Sequence, residues 1–399
     1  MPEKVGDDIL IKIDGHILLQ YFKFVMRGRN MKKVFIHAYA AGNLGDDLLI
    51  RILCERYPKV HFRICADESY KERFKDIGNL SVYSPADKYV RLIDKVINRI
   101  KSTDRGFWKL LLKTSYATVH IGGSVFVQHQ DDFGAAFRLD EELSARSKRI
   151  YVVGANFGPY TDEQYYRKYY ELLQCYEGVC FRDRYSWGLF QELPNVVYAP
   201  DVVFNYKADI FASEKKQVLI SVIDMKNRTG KWGISQYDQS YKKFIINLAD
   251  EYIKRGYHVK FISFCKFQGD ESAIEEIITL AGGWQKGQVS VCYYEQNISQ
   301  CIRSFAESEI IIGTRFHSVV LGWLMKKKVF PIVYDSKTKH MLEDNEGSFY
   351  LELSELEQDA GQIVQKIDEI KVPDIESLVI ESAKQFQILD KVLSNEENI

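Results

Sequence analysis

The sequence has no excess of either charge: 54 Lys and Arg stand against 55 Asp and Glu, for a net charge of −1 over 399 residues. That argues against a dedicated nucleic-acid binder, which needs a basic face, but leaves room for a local basic pocket. Cysteines are few, and no C-x-x-C pair occurs. The seven at 54, 65, 175, 180, 265, 292 and 301 are scattered through apolar runs. Neither a zinc site nor a disulfide framework is indicated, and a reducing compartment fits best. H-E-x-x-H, EF-hand and Walker spacings are missing, and with them the motif case for metal hydrolysis or NTPase chemistry. No G-x-S-x-G elbow presents a serine nucleophile. Apart from His317, the histidines (16, 37, 61, 120, 129, 258 and 340) show no ligand spacing, so no metal site is expected. The first residues are polar and acidic rather than signal-like, so the expected location is cytoplasmic. Residues 17–29 are apolar with a basic end and too short to span a bilayer. They read as a helix packed on the first domain, with a helix lying on a membrane surface, giving peripheral membrane contact, as the alternative.

What is present is an ordinary globular composition, 46% hydrophobic and 27% charged, on a chain long enough for two cores. Short apolar runs alternate with helix-period stretches, the pattern of parallel α/β sheets. The expected division is an N-terminal helical segment over 1–30, a Rossmann-like domain over 31–208, a second over 209–350, and C-terminal helices over 351–399. Two such domains with parallel sheets place a cleft between them.

The stretch IIIGTRFHSVVLGW (310–323) is the most informative. A buried strand ends at Gly313, Thr314 reads as the N-cap, and Phe316, Val319, Val320 and Trp323 share one helical face. The N–H groups at a helix start favour an anion, and Arg315 and His317 lie in that first turn. Two residues of helix turn them about 200° apart, so both reach one ligand only if Arg315 projects off the helix end. Other strand ends supply Arg182 and Lys337. Three permanent cations and a titratable histidine make a site for a ligand with more than one negative group. Two glycine loops after strands, Asn43 to Asp47 and Gly122-Gly123-Ser124, face the same cleft. Asn43, Asp46, Asp47, Gly122, Gly123, Ser124, Asp201 and Thr314 join Lys337 as substrate-binding candidates. No G-x-G-x-x-G occurs, so a dinucleotide cofactor has weak support.

The pieces GNLGDD (42–47), GGSVF (122–126), VVGANFGPYTD (152–162), FRDRYS (181–186), APDVVF (199–204), LISV (219–222), GTRFHSVVLGW (313–323) and VFPIVYDSK (329–337) resemble the polysaccharide pyruvyl transferase family over most of the chain. The resemblance implies a fold similar to GT-B glycosyltransferases. It implies phosphoenolpyruvate as donor substrate, no cofactor, and a glycan hydroxyl pair as acceptor, closed into a pyruvate ketal for surface-polysaccharide biosynthesis. It ties Arg182, Arg315, His317 and Lys337 to phosphoenolpyruvate. Of these His317 is the acid/base candidate, because its reference pKa lies near neutrality and Arg315 beside it would tune it. A lipid-linked acceptor would give residues 17–29 a purpose at the inner face of the membrane. A GT-B nucleotide-sugar glycosyltransferase and a non-catalytic glycan- or anion-binding homologue are the alternatives.

Overall fold

The computed structural model describes residues 31–129, 134–207, 213–345 and 349–394. Both readings of residues 17–29, and the domain boundary expected between 208 and 209, lie outside them. The first lobe holds a seven-stranded sheet made of β1 (Lys33–His37), β2 (His61–Cys65), β3 (Leu80–Tyr83), β4 (Ala117–Ile121), β5 (Ile150–Ala155), β6 (Gly178–Phe181) and β7 (Val196–Tyr198). The second holds six: β8 (Lys215–Ser221), β9 (His258–Ile262), β10 (Val289–Cys292), β11 (Ser308–Gly313), β12 (Lys328–Val333) and β13 (Leu351–Glu352). The spatial orders are β3-β2-β1-β4-β5-β6-β7 and β10-β9-β8-β11-β12-β13. The paired strands run parallel throughout.

Parallel sheets covered on both faces want apolar strands, and β4 (ATVHI) and β5 (IYVVGA) are buried along their whole length. Both sheets reverse direction of growth at the same place, between their first and fourth strands. Such a switch point leaves a crevice at the carboxyl ends of the strands, where ligands of open α/β sheets bind. The two crevices, beyond β1/β4 and β8/β11, open on one cavity.

The lobes are fastened beside that cavity by apolar packing. Leu44, Leu48, Leu49 and Leu53 of helix Leu44–Arg56 share a buried cluster with Phe264, Tyr294, Phe305, Phe316 and Val320 of the second lobe. The Leu44 N–H donates to the Phe264 carbonyl at 2.9 Å. The C-terminal residues, expected as helices, divide between the lobes. Residues 351–352 extend the second sheet instead of opening a helix, and helix Ala360–Asp368 packs its Ile363, Val364 and Ile367 beneath that sheet. The chain then crosses back: Phe386, Leu389 and Leu393 bury against the first lobe, and the Gln385 amide bonds Ala199 and Pro200 carbonyls and the Gly154 N–H. Helix Glu163–Gln174 is capped by Asp162, not by the neighbouring Thr161, because the Asp162 carboxylate takes the Gln164 N–H at 2.8 Å.

Candidate active site

The turn after β11 departs from the expected cap. Helix Phe316–Leu324 has Arg315 as its N-cap residue, in extended conformation and with no side-chain cap. Ser221, at the end of the adjacent β8, does the capping work from outside: its Oγ accepts the Thr314 N–H at 3.1 Å and the Arg315 N–H at 3.3 Å. Thr314 is fully buried and pairs its hydroxyl with Tyr241 at 2.9 Å, away from the cavity. It is therefore placed to support the turn and not to touch a ligand.

Leaving the helix end in this way, Arg315 turns toward the start of helix Asp270–Ala281. Its Nε donates to Asp270 Oδ2 at 3.0 Å, Nη2 donates to Oδ1, and Nη1 donates to Gln268 Oε1. Asp270 Oδ2 also takes the backbone N–H groups of Phe264 and Cys265. A bidentate carboxylate fixes the plane of the guanidinium, and two of its five donors remain for a ligand. Asp270 holds the guanidinium charged against burial.

From the first lobe, Arg182 lies in the same cavity at the end of β6. Its Nη1 donates to Asp201 Oδ2 at 2.9 Å and its Nη2 to Asn156 Oδ1 at 3.1 Å. The guanidinium carbon stands 3.9 Å from the centre of the Phe316 ring, a cation–π contact across the lobes. The His317 Nε2 is 3.4 Å from Arg182 Nη1. Two glycines permit this approach. A Cβ on Gly123 would sit 2.2 Å from Arg182 Nη2, and one on Gly45 would sit 1.9 Å from His317 Nδ1. The glycine loops of the sequence are thus clearances for cavity side chains. Asp201, 2% exposed, sits behind Arg182 and caps the short 3-10 helix Val202–Asn205 through the Val203 N–H.

Lys337 closes the group. Its ammonium donates to Ser124 Oγ of the first lobe at 3.0 Å and lies 3.2 Å from Asp335. Asp335 caps helix Ser336–Asp344; Lys337 and Thr338 outweigh the effect of burial and hold its carboxyl below the usual range. Gly122 is buried beneath its loop, while Gly123 and Ser124 line the cavity. Asn43 caps helix Leu44–Arg56, accepting the Gly45 N–H at 2.9 Å, and also lines the cavity.

The paired acids at the start of that helix separate. Asp46 lines the cavity. Burial, followed by repulsion from Asp47, raises its carboxyl to about 7 against the pull of Arg182, Lys337 and Arg315. Asp47 is fully buried and faces the lobe junction, held by the Tyr70 and Tyr294 hydroxyls at 2.8 and 2.6 Å and by Arg73 at 3.2 Å. It does not reach the cavity, because its acceptor capacity is spent on those three groups.

Each of the three expected cations thus arrives with a carboxylate: Arg182 with Asp201, Arg315 with Asp270, Lys337 with Asp335. The site is a set of oriented pairs rather than a bare positive cluster. His317 also differs from expectation. Burial, and then Arg182, Lys337 and Arg315 against Asp201, lower its pKa to about 3. It is neutral near pH 7, where Asp46, in the same cavity, is about half protonated.

The cavity of about 1230 Å³ has a further wall that sequence reasoning did not single out. His37 and His120, register partners on β1 and β4, and Asp140 of helix Gly134–Arg146 lie together at the first-lobe end. Their sequence spacing carries no signal, and only the strand order brings them together. Asn156, within the VVGANFGPYTD stretch, lines the same cavity and accepts from Arg182. Residues 228–234 cross from the second lobe along the rim, where the Trp232 indole N–H donates to the Gln128 carbonyl at 2.8 Å. Among the described residues no helix is long and apolar enough to cross a membrane. All seven cysteines are free thiols.

The fold is similar to that of UDP-GlcNAc 2-epimerase from Neisseria meningitidis bound to UDP-GlcNAc, with a TM-score of 0.57 at 11% identity over 92% of this chain and 100% of that one. Anabaena HepE in complex with UDP and glucose superposes with a TM-score of 0.53 at 13% identity, over 91% and 99% of the two chains. At such identities the likeness establishes the two-lobed, GT-B-like fold alone. No curated protein matches in sequence. The family model for polysaccharide pyruvyl transferase matches residues 43–336. That span covers most of the chain and carries Arg182, Arg315, His317 and both glycine loops, and the chain belongs to the polysaccharide pyruvyl transferase family.

Proposed function

We propose that the enzyme transfers the enolpyruvyl unit of phosphoenolpyruvate to two hydroxyls of a glycan, forming a pyruvate ketal and releasing phosphate. The observation that carries this reading is the meeting of Arg182, Arg315, His317 and Lys337 from two lobes around one cavity. Phosphoenolpyruvate carries a carboxylate and a phosphate on a three-carbon frame. The fork of Arg315, held by Asp270, and that of Arg182, held by Asp201, suit two such groups with little reorganisation. Lys337, a point charge bridging to Ser124, suits the leaving phosphate. The cavity is far larger than that donor and leaves room for sugar rings.

The chemistry needs one proton delivered to the methylene carbon and two removed from hydroxyls. Asp46, protonated near neutrality, is the donor we assign to the methylene carbon. Neutral His317 then accepts the proton of the first attacking hydroxyl and passes it to the departing phosphate. The second hydroxyl closes the ketal and returns its proton to Asp46. Two hydroxyl protons leave; one ends on the new methyl group and one on phosphate, so the cycle balances. A cytoplasmic pool of phosphoenolpyruvate and a lipid-linked acceptor at the inner membrane face suit this role.

Incubation with phosphoenolpyruvate and a panel of galactosides, mannosides and N-acetylhexosamine glycans tests it, read by free phosphate and acceptor mass. Phosphate release with a matching mass gain on one acceptor is expected. Release of a nucleotide from a UDP-sugar, with no phosphate from phosphoenolpyruvate, would favour the glycosyltransferase alternative. Binding of phosphoenolpyruvate without turnover on any acceptor would favour the non-catalytic one.

A further inference from the structure

We propose that His37, His120 and Asp140 bind one divalent transition-metal ion, zinc fitting best, at the first-lobe end of the cavity. Strands β1 and β4 run side by side in parallel with His37 opposite His120, and the two rings meet edge to face at 4.5 Å between centroids. One ligand atom from each of the three residues lies within 4.8 Å of the others. Tetrahedral bonds of about 2.0–2.1 Å set ligand atoms about 3.4 Å apart, a contraction within reach of small side-chain rotations.

Two independent features point to an ion rather than to a packed polar cluster. His120 is 4% exposed and its Nδ1 has no hydrogen-bond partner; Asp140 Oδ1, the nearest carboxylate oxygen, is 3.5 Å away. A buried ring nitrogen is ordinarily paired, and a metal ion satisfies it. The carboxylate is also held from behind: Tyr169 donates to Asp140 Oδ2 at 2.8 Å, leaving Oδ1 toward the imidazole. Metal-binding carboxylates are oriented by such partners. Two imidazoles and one carboxylate select a first-row metal over magnesium or calcium. All three residues line the cavity, so a fourth position faces it, the pattern of a reactive rather than a structural zinc. Taken with the pyruvyl-transfer reading, that position would take an acceptor hydroxyl and ease its deprotonation.

The full chain, stripped with a chelator and titrated with Co(II) in the absence of phosphoenolpyruvate and glycan, tests the site. Visible d–d absorption saturating near one equivalent and displaced by Zn(II) is expected. His37→Gln and Asp140→Asn should weaken Co(II) binding at least tenfold, while His258→Gln, in the other lobe, should leave it unchanged. Absent absorption, thiolate charge-transfer bands indicating cysteine ligation, or unchanged binding in His37→Gln would each overturn the proposal. Should a variant fail to fold, X-ray absorption of the wild-type Co(II) form decides: two imidazoles with oxygen support the site, and any other shell overturns it. Because no donor or acceptor is present, a negative result leaves the pyruvyl-transfer reading standing. Absent phosphate release with Co(II) still bound would defeat only that reading.

Discussion

At the first-lobe switch point, the last residue of β1 and the penultimate residue of β4 are paired imidazoles backed by a carboxylate; at the second, β8 and β11 end in a serine and a glycine that lead to Arg315 and His317. The strand order is the same in both sheets and the crevice is in the same place. The side chains differ because the neighbouring helices supply different partners. Asp270, at the start of a helix beside β9, fixes a permanent cation, whereas Asp140, midway along its helix, is held by Tyr169 and faces two rings. A parallel sheet sets where ligands gather; the acids brought by its covering helices decide which charge gathers there.

The sharpest way to break this contrast is to keep the charge of Arg315 and remove its fork. Arg315→Lys cannot bond Asp270 through two nitrogens and face a ligand as well. A loss of about 10²–10³ in kcat/KM for phosphate release is expected, the scale for one misplaced electrostatic donor. A change within threefold would mean that the oriented pair is dispensable. The reciprocal change, Asp270→Asn, strands a buried guanidinium and should cost about 3–5 kcal/mol in denaturant unfolding. Asp140→Asn leaves no charge without a partner and should cost about 1 kcal/mol. Equal costs would remove the distinction between the two crevices.

A smaller effect is expected from the clearances. Gly45→Ala places a methyl where His317 Nδ1 now lies, so the imidazole must leave its position between the lobes. We expect turnover to fall about tenfold to a hundredfold, in line with displacements of about an ångström at a reacting group. Gly188→Ala, with nothing within 4 Å of the new carbon, should leave turnover unchanged and serves as the control. Equal behaviour of the two variants in a phosphate-release assay would show that the Gly45–His317 contact carries no catalytic weight.

These glycines mark how far the chain could be read in advance. The strand ends and glycine loops were legible because apolar runs stop there and a helix period begins. Arg182, Arg315, His317 and Lys337 were legible for the same reason, standing at strand ends. Their partners were not. Asp270 appears in the sequence merely as the start of an amphipathic helix, and its pairing with a residue 45 positions away follows from packing. Thr314 looked like a cap by local chemistry, but Ser221 on the neighbouring strand supplied the acceptor. Asp46 and Asp47 are adjacent and identical in type; only their burial against different surfaces sends one to the cavity and the other to Tyr70 and Tyr294. His37 and His120 required strand order, which no spacing encodes.

The last prediction concerns Asp46, which lines the cavity both crevices open on. Its folded pKa, about 7, lies above the ordinary carboxylate value, so the folded chain holds this proton more tightly than the unfolded one. The sign follows: the contribution is full below about pH 4 and is lost as pH rises through 7. Asp47, raised to about 6, adds a slope of the same sign that any Asp46 variant retains. Asp46→Asn should therefore gain about 1–3 kcal/mol relative to wild type between pH 5 and pH 8, a range that discounts the cavity-facing edge of the carboxyl. Turnover should move the opposite way. Wild-type rates decline tenfold per unit above pH 7 as the donor ionises, and the variant is slow with that limb gone. Arg182, Lys337 and Arg315 all face this carboxyl and lower its pKa, so Lys337→Met should shift the limb to higher pH. A limb that stays in place in Asp46→Asn but disappears in His317→Gln would transfer the donor role to the histidine, whose pKa the bound trianion would then have raised from about 3.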